Sequence, residues 1–341
     1  MKKIFKSIFL FFLVSIVLGL FTVLTLAQNI SLSLNQPQNY VLDTLLSVGI
    51  NNPYQDKDKV NFIVLGLDQR NDALEKTETT DTIMFVSLNI KNQKINIISI
   101  PRDLWFYQIN SKVNEIYPLS LKVTNQISFI KDKFQQLTGQ PIDHVVVLTT
   151  ENLIKFVNLI GGVDVVLENG FVDKLYPNPE YIKNPNSTVS KYKTVEFKSG
   201  LNHLNSDNIT EFVRSRKGGE TMETSGTDLA RIQRQQLLLE AILNKLKTGQ
   251  FVTKKLDITS FYQFWNKEVF KDISDVDILN LLTIFGENIT NLTLNKINIP
   301  VGTNSKNGVI FHPNYFINKQ WVFIPSDKEY KSFRQFFSDS F

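Results

Sequence analysis

Three closely spaced apolar runs limit what this chain can fold into more than any other feature. They are NFIVLG at 61–66, TIMFVSLNI at 82–90 and KINIISI at 94–100. Apolar residues occur at both odd and even positions, which predicts central strands covered on two faces. The intervening KNQ predicts a hairpin turn, so the three strands are expected to be antiparallel neighbours.

Helical patterns alternate with strand patterns further along the chain. The run DHVVVLTT at 143–150 predicts a fourth strand, and TENLIKFVNLIGG at 150–162 predicts a helix with a Thr cap and a Gly stop. A long helix is predicted in the segment 226–250 and a shorter one around 273–285. This interleaving predicts an α/β sandwich around a mixed sheet.

The N-terminus contains an uncharged run of 20 residues at 8–27, preceded by Lys2, Lys3 and Lys6. A helix of that length spans roughly 30 Å, the thickness of a bilayer core. The lysines before it predict that the short N-terminal segment stays in the cytoplasm. The expected organisation is a cytoplasmic tip at 1–7, a transmembrane signal-anchor at 8–27, a linker at 28–58 and one extracytoplasmic domain at 59–341. A cleaved signal peptide, with Thr25 and Ala27 at its cleavage site, is the alternative.

The composition excludes several classes of chemistry. The chain has no Cys and only three His, which excludes thiol nucleophiles and Cys-based metal sites and disfavours chemistry resting on several histidines. A net charge of +4 gives no indication of nucleic-acid binding. Carboxylates, guanidinium groups, amides and hydroxyls therefore remain as the working groups.

Charged residues are predicted to meet at one end of the sheet. Asp68 and Arg70 follow the first strand, Asp81 comes just before the second, and Arg102 and Asp103 follow the third. Antiparallel pairing would bring all five to the same rim, where ligands of α/β proteins commonly bind. Each residue alone is compatible with ordinary turn chemistry.

A second polar group belongs to the long helix and the segment before it. Asp228, Arg231 and Gln235 fall on one helical stripe beside apolar positions, and Arg214 and Arg216 precede two glycines. Arginine pairs bidentately with phosphate oxygens, and Mg²⁺ prefers carboxylates, water and phosphate oxygens. The two groups together predict a site for a phosphate or pyrophosphate with a hard divalent ion.

The ordered motifs LGLDQR, TTDTIMFVSLN, ISIPRDLW, LIGGVDV, EFVRSR and TDLARIQRQQ, behind one N-terminal anchor, resemble the LytR–CpsA–Psr family of cell-wall glycopolymer ligases. The resemblance runs from about residue 60 to residue 247. It implies a three-layer α/β/α domain with a hydrophobic pocket for a polyprenyl chain. It also implies Mg²⁺-dependent (or Mn²⁺-dependent) transfer of a phosphate-linked glycopolymer from a polyprenyl-pyrophosphate carrier to peptidoglycan, by a single-pass protein of the cell membrane acting at the cell surface or in the periplasm.

The resemblance assigns roles to individual residues of this chain. Asp68 and Asp81 match metal-binding aspartates, Asp228 matches a supporting acid, and the expected catalytic residues are Asp81, Arg102 and Asp103. Either Asp103 or Asp68 is a candidate base for the acceptor. The positions that match pyrophosphate-binding residues are Arg70, Arg102, Arg214, Arg216, Arg231 and Gln235.

One position departs from the family pattern. Thr79 stands two residues before Asp81, where the family usually has Arg, so one guanidinium is missing from the expected phosphate site. Arg70 or Lys76 is a candidate substitute. The departure leaves open a non-catalytic, membrane-tethered binder of anionic wall polymers or polyprenyl phosphates. A related alternative to the transferase is a pyrophosphatase that releases the lipid without a sugar acceptor. A purely structural role for the arginines, bracing surface loops, is the third alternative.

Overall fold

A computed structural model describes residues 22–50, 52–67, 79–186, 188–215, 228–247, 258–285 and 292–341. Its strands, in chain order, are β1 Lys59–Leu67, β2 Thr80–Asn89, β3 Lys94–Ser99, β4 Trp105–Phe106, β5 Ser111–Lys112, β6 His144–Thr149, β7 Val163–Leu167, β8 Phe171–Pro177, β9 Tyr192–Phe197, β10 Gly200–Leu204, β11 Phe270–Lys271, β12 Thr293–Ile297, β13 Val301–Gly302, β14 Ile310–Phe311 and β15 Ile324–Pro325.

The first helix, α1, is described over residues 22–33. The other α-helices are α2 Tyr40–Ser47, α3 Ile116–Ser120, α4 Gln126–Thr138, α5 Thr150–Leu159, α6 Pro179–Lys183, α7 Ile209–Arg214, α8 Asp228–Lys247, α9 Ile258–Lys267, α10 Asp275–Phe285 and α11 Lys331–Asp339. Short 3₁₀ turns occupy Tyr107–Ile109 and Val113–Glu115.

A six-stranded mixed sheet forms the centre of the fold, in the order β11-β6-β1-β2-β3-β12. The predicted antiparallel arrangement of β1, β2 and β3 is confirmed, and β6 runs parallel to β1. The predicted helix after β6 is also confirmed: the Thr149 hydroxyl caps α5, and Gly161 and Gly162 follow it with positive φ.

Alternate residues of β1 enter different hydrophobic cores, as a strand buried on both faces requires. Ile63 and Leu65 join the core that includes Phe134 of α4 and Phe337 of α11. On the opposite face, Val60 and Phe62 join residues of α9 and α10. Helices therefore pack on both faces of the central sheet.

A smaller layer lies outside this sheet. The strand β7 pairs with β10, and β8 pairs with β9, each as a two-stranded antiparallel sheet. Their apolar side chains form a separate core with residues of α5, α7 and α8. The helix α8 thereby connects the small layer to the end of the central sheet.

The segment expected to be a linker contains a helix that contacts the domain. Tyr40, the first residue of α2, hydrogen bonds through its hydroxyl to Asp275 of α10. The backbone N–H of Gly49 donates to Asn280 Oδ1 at 2.8 Å, and Tyr54 is buried with its hydroxyl 2.7 Å from His144 Nε2. Over the described ranges, no helix has both the length and the apolar character needed to cross a bilayer.

Candidate functional site

The register of the central sheet brings three strand ends to one rim. Leu67, the last residue of β1, is paired with Thr80, the first residue of β2, and Ser99, the last residue of β3, is paired with Met84. Gly66 lies opposite Thr82, and a Cβ atom at position 66 would lie only 2.9 Å from the Thr82 Cβ. Asp81 is the second residue of β2, not the residue before it, because β2 begins earlier than its apolar run indicates.

A carboxylate with two guanidinium groups beside it lies at this rim. Arg102 donates a hydrogen bond from Nη1 to Asp81 Oδ1. Arg231 of α8 places its Nη1 at 4.0 Å from the other oxygen of Asp81, and its side chain is only 4% exposed. The predicted convergence of Asp81, Arg102 and Arg231 is therefore seen in the structure.

Asp103 lies behind Arg102, not in the wall of the cleft. Its Oδ2 is 3.4 Å from Arg102 Nε, and its Oδ1 accepts a hydrogen bond from Lys112 Nζ at 2.6 Å. Its backbone oxygen accepts from the N–H of Phe323 at 2.9 Å. These contacts make Asp103 a residue that orients Arg102.

The helix α8 is fastened to the rim and to α7 by two polar side chains. Gln236 donates from Nε2 to Ser99 Oγ at 3.1 Å, at the end of β3. Arg234 is buried, with its guanidinium carbon 4.6 Å from the centre of the Phe171 ring, and it donates to the backbone oxygens of Phe212 and Ser215. Burial, together with the nearby positive charge of Arg231, lowers the pKa of Arg234 to about 10.

These two side chains were not predicted from the sequence, and neither was Lys112. In the sequence, Arg234 and Gln236 are indistinguishable from solvent-facing helix residues, because the polar stripe through Arg231 and Gln235 already accounts for one face of α8. Lys112 also has no local signal in the sequence that would link it to Asp103, nine residues earlier. Their roles depend on packing between distant elements.

A cleft opens where the rim meets α8. Its polar lining includes Asp81, Arg102, Arg231 and Gln235, and its apolar lining includes Ile83, Ile100, Pro101, Ile232 and Phe323, with Thr82 and Ser99 between them. The open volume of the cleft is about 20 Å³, so its cationic groups suit a small anionic group such as a phosphate, beside an apolar wall.

Several predicted site residues lie elsewhere or outside the described residues. Arg214 is half-buried at the end of α7 and does not line this cleft. Asp228 begins α8, one turn before Arg231. Asp68, Arg70 and Arg216 lie outside the described residues.

The donors of the cleft fit a hard cation in chemical type. The lining includes the carboxylate-bearing Asp81 and the hydroxyl-bearing Thr82 and Ser99, and Mg²⁺ and Mn²⁺ favour oxygen ligands. Within the described ranges, no three His or acidic residues are grouped closely enough to hold a metal ion without further ligands. Asp68, the second predicted metal ligand, is not among the described residues.

Known proteins resemble this chain in sequence and fold. TagU of Oceanobacillus iheyensis, a polyisoprenyl-teichoic acid–peptidoglycan teichoic acid transferase, is 24% identical over 287 residues, which are 82% of this chain and 75% of that protein. The crystal structure of Bacillus subtilis TagV matches with a TM-score of 0.55 and 18% identity over 84% of this chain and 98% of that one.

A third comparison concerns a protein with a bound lipid. TagT, solved with octaprenyl pyrophosphate, matches with a TM-score of 0.51 and 18% identity over 83% of this chain and 90% of that one. At this identity the structural likeness establishes the fold alone. The sequence profile of the LytR_cpsA_psr family matches residues 27–335, which is most of the chain and includes the whole rim of the cleft. The chain belongs to the LytR–CpsA–Psr family.

Proposed function

We propose that this protein transfers a phosphate-linked glycopolymer from a polyprenyl-pyrophosphate carrier to peptidoglycan. The observation that carries the proposal is the contact of Asp81 with Arg102 and Arg231 at the mouth of a cleft with an apolar wall. The relatives named above support it, because TagU is named as a teichoic acid transferase and TagT was solved with a polyprenyl pyrophosphate.

The chemistry required is displacement at phosphorus. An acceptor hydroxyl oxygen bonds to the phosphorus next to the glycopolymer, the bond from that phosphorus to the bridging oxygen breaks, and polyprenyl phosphate leaves. Arg102 and Arg231 would hold the pyrophosphate oxygens and stabilise the negative charge that develops on them. Gln235 would donate to the same oxygens. The hydroxyl proton leaves to a base, for which Asp68 is the remaining candidate, because Asp103 lies behind Arg102 and is paired with Lys112.

A divalent cation fits this proposal. Asp81, with Asp68, would hold Mg²⁺ or Mn²⁺, and the cation would neutralise charge on the two phosphates. Arg102 and Arg231 both form ion pairs with Asp81. Arg70, Arg216 and Asp228 keep the pyrophosphate-binding and supporting roles that the family resemblance implies, whereas Arg214 lies outside the cleft.

The proposed setting is the outer face of a cell membrane. The uncharged run at 8–27, with lysines before it, would anchor the protein as a single-pass chain, and the three-layer α/β/α domain would act at the cell surface or in the periplasm. The contacts of α2 and Tyr54 with the domain would then hold the domain close to the bilayer.

The proposal is tested with the full chain in detergent, a polyprenyl-pyrophosphoryl glycan, Mg²⁺ and peptidoglycan oligomers, followed by mass spectrometry. The expected product is an oligomer carrying the sugar phosphate, formed by the native protein and absent with Asp81→Ala and with Arg102→Ala. Asp58→Ala, which breaks the exposed pair of Asp58 with Lys91, is the matched control and should be fully active. Release of lipid and glycan without an adduct would indicate a pyrophosphatase instead. Tight binding with no product would indicate the tethered binder, and Thr79 would then be the residue to change to Arg.

A further inference from the structure

An aromatic stack runs from the wall of the cleft to the protein surface. Phe323 lines the cleft, and the ring of His312 stacks on it with centroids 3.7 Å apart. The Trp321 ring also stacks on the His312 ring, with centroids 4.5 Å apart and planes 26° from parallel. Phe316 then meets Trp321 edge-on at 5.8 Å. We call Tyr315, Phe316 and Trp321 the aromatic platform.

The platform is exposed although it consists of large rings. Tyr315 is 54% exposed, Phe316 65% and Trp321 51%. Exposed aromatic clusters of this kind mark binding surfaces, because burying them in a complex removes much apolar area from water. None of the three rings belongs to the hydrophobic core clusters of the described residues.

A tight turn holds the platform in a fixed shape. Ile317 and Gln320 form an antiparallel bridge with two backbone hydrogen bonds, and Asn318 and Lys319 between them both have positive φ. Two positive φ values characterise a type I′ turn, which Lys adopts at a cost of about 1 kcal/mol or more. His312 is fixed in turn, because its Nδ1 lies 2.8 Å from the Val322 oxygen. The turn and this hydrogen bond fix the backbone between Phe316 and Trp321 and the His312 ring on which Trp321 stacks.

The chemistry of the segment suits a carbohydrate. Residues 308–325 contain no acid, and Lys319 is their one formal charge. The exposed polar side chains next to the rings are the amides of Asn314, Asn318 and Gln320 and the ammonium group of Lys319. Aromatic faces pack against the C–H faces of pyranose rings, and amides bond to sugar hydroxyls. A bilayer surface would instead favour several cations beside the rings.

We propose that the aromatic platform binds the glycan strand of the acceptor and leads it to the cleft. This inference rests on the proposed function. The platform is continuous with the cleft through the stacked rings of His312 and Phe323. The backbone of Phe323 is hydrogen-bonded to the backbones of Asp103 and Trp105. An acceptor polymer must reach the cleft from solvent, and an open surface suits a polymer better than an enclosed pocket does.

The test compares variants of the full chain in detergent. Trp321→Ala and Phe316→Ala are measured for cosedimentation with purified peptidoglycan sacculi, and Tyr192→Ala is the control, since Tyr192 is an exposed ring on β9. We expect both platform variants to lose roughly tenfold or more in affinity for sacculi, and the control to lose none. Trp321→Tyr should restore most of the binding. Thermal melting of each variant checks that the fold is retained.

Two further measurements separate this inference from the proposed function. Binding of polyprenyl pyrophosphate should be the same in all variants, and so should binding to carrier-linked glycan. Native-like sedimentation of both platform variants would overturn the platform while leaving the transferase proposal intact. Loss of binding to anionic lipid vesicles, with sacculus binding unchanged, would overturn it in favour of a membrane contact. Failure of the native protein to bind polyprenyl pyrophosphate would instead contradict the proposed function.

Discussion

Lys112 lies 2.6 Å from Asp103, its Nζ donating to the Oδ1 of the carboxylate. Lys112 belongs to β5, which pairs with β4, and β4 begins two residues after Asp103. Asp103 therefore has a positive partner of its own, and Arg102 can turn its Nη1 toward Asp81. The pair sets the direction in which the Arg102 guanidinium points.

Replacing Lys112 by Met should lower both turnover and stability. Without the ammonium group, Asp103 attracts Arg102 more strongly, and the guanidinium moves away from Asp81. We expect at least a tenfold drop in turnover, and a loss of about 1–3 kcal/mol in the free energy of unfolding because Asp103 is left with one partner fewer. Turnover and urea unfolding measure the two effects. Lys91→Met, at the exposed pair with Asp58, is the control, and equal losses in both variants would contradict the assignment.

Replacing Arg234 by Met should destabilise the junction of α7 and α8. The change leaves the backbone oxygens of Phe212 and Ser215 without a donor in a buried place, for which about 2–4 kcal/mol is expected. Arg234→Lys keeps the charge but not the planar fork, and it should fall between Met and native. Urea unfolding of the three proteins gives the order directly. A Lys variant as stable as native would show that the charge alone is sufficient.

Gly66→Ala should disturb the rim of the cleft without a change in charge. The added Cβ would lie 2.9 Å from the Thr82 Cβ, so β1 and β2 must move apart beside Asp81. We expect a loss of about 1–3 kcal/mol in stability and a clear loss of turnover. The double variant with Thr82→Gly removes the clash and should recover part of both. Recovery of neither would mean that the contact is not the cause.

Stability should fall in acid because of Asp272. Its burial disfavours ionisation, but the nearby His144 ring, Lys131 at 2.5 Å and the N–H of Val145 outweigh burial and lower the pKa of Asp272 to about 2, from 3.8. The folded-state pKa is depressed, so the stabilisation is complete above about pH 4 and is lost as the pH falls toward 2. Its size is about 2 kcal/mol.

Urea unfolding between pH 2 and 6 tests this expectation. Asp272→Asn should be less stable than native at pH 6 and should show a flatter dependence below pH 4. Asp58→Asn, at an exposed carboxylate, is the control and should follow the native curve. A native-like slope in Asp272→Asn would assign the acid sensitivity to other carboxylates.

The central strands and one half of the site could be predicted because their signals are local. Apolar runs identified β1, β2, β3 and β6, and the strand ends placed Asp81 and Arg102 on one rim. The helical spacing of Arg231 and Gln235 identified the face of α8 that lines the cleft. In each case a few neighbouring residues carry the whole pattern.

The remaining features depend on contacts between distant parts of the chain. The pairing of β12 with β3 and of β11 with β6 has no signature in short apolar runs. VDVVLEN reads as a strand, yet β7 pairs with β10 outside the central sheet, because alternating burial suits a sheet covered on one face. A buried Arg234 and an exposed arginine look the same until the partner carbonyls are placed.

The position of β12 at the edge of the sheet affects how the chain acquires its structure. Asn295 of β12 donates to Asn96 of β3, and the two are 199 residues apart. Until β12, at residues Thr293–Ile297 of the 341, is available, the edge of β3 has unpaired N–H and C=O groups and is open to pairing with another molecule. Closing the sheet over so long a separation favours slow folding, and a nascent chain would need protection along this edge for that time.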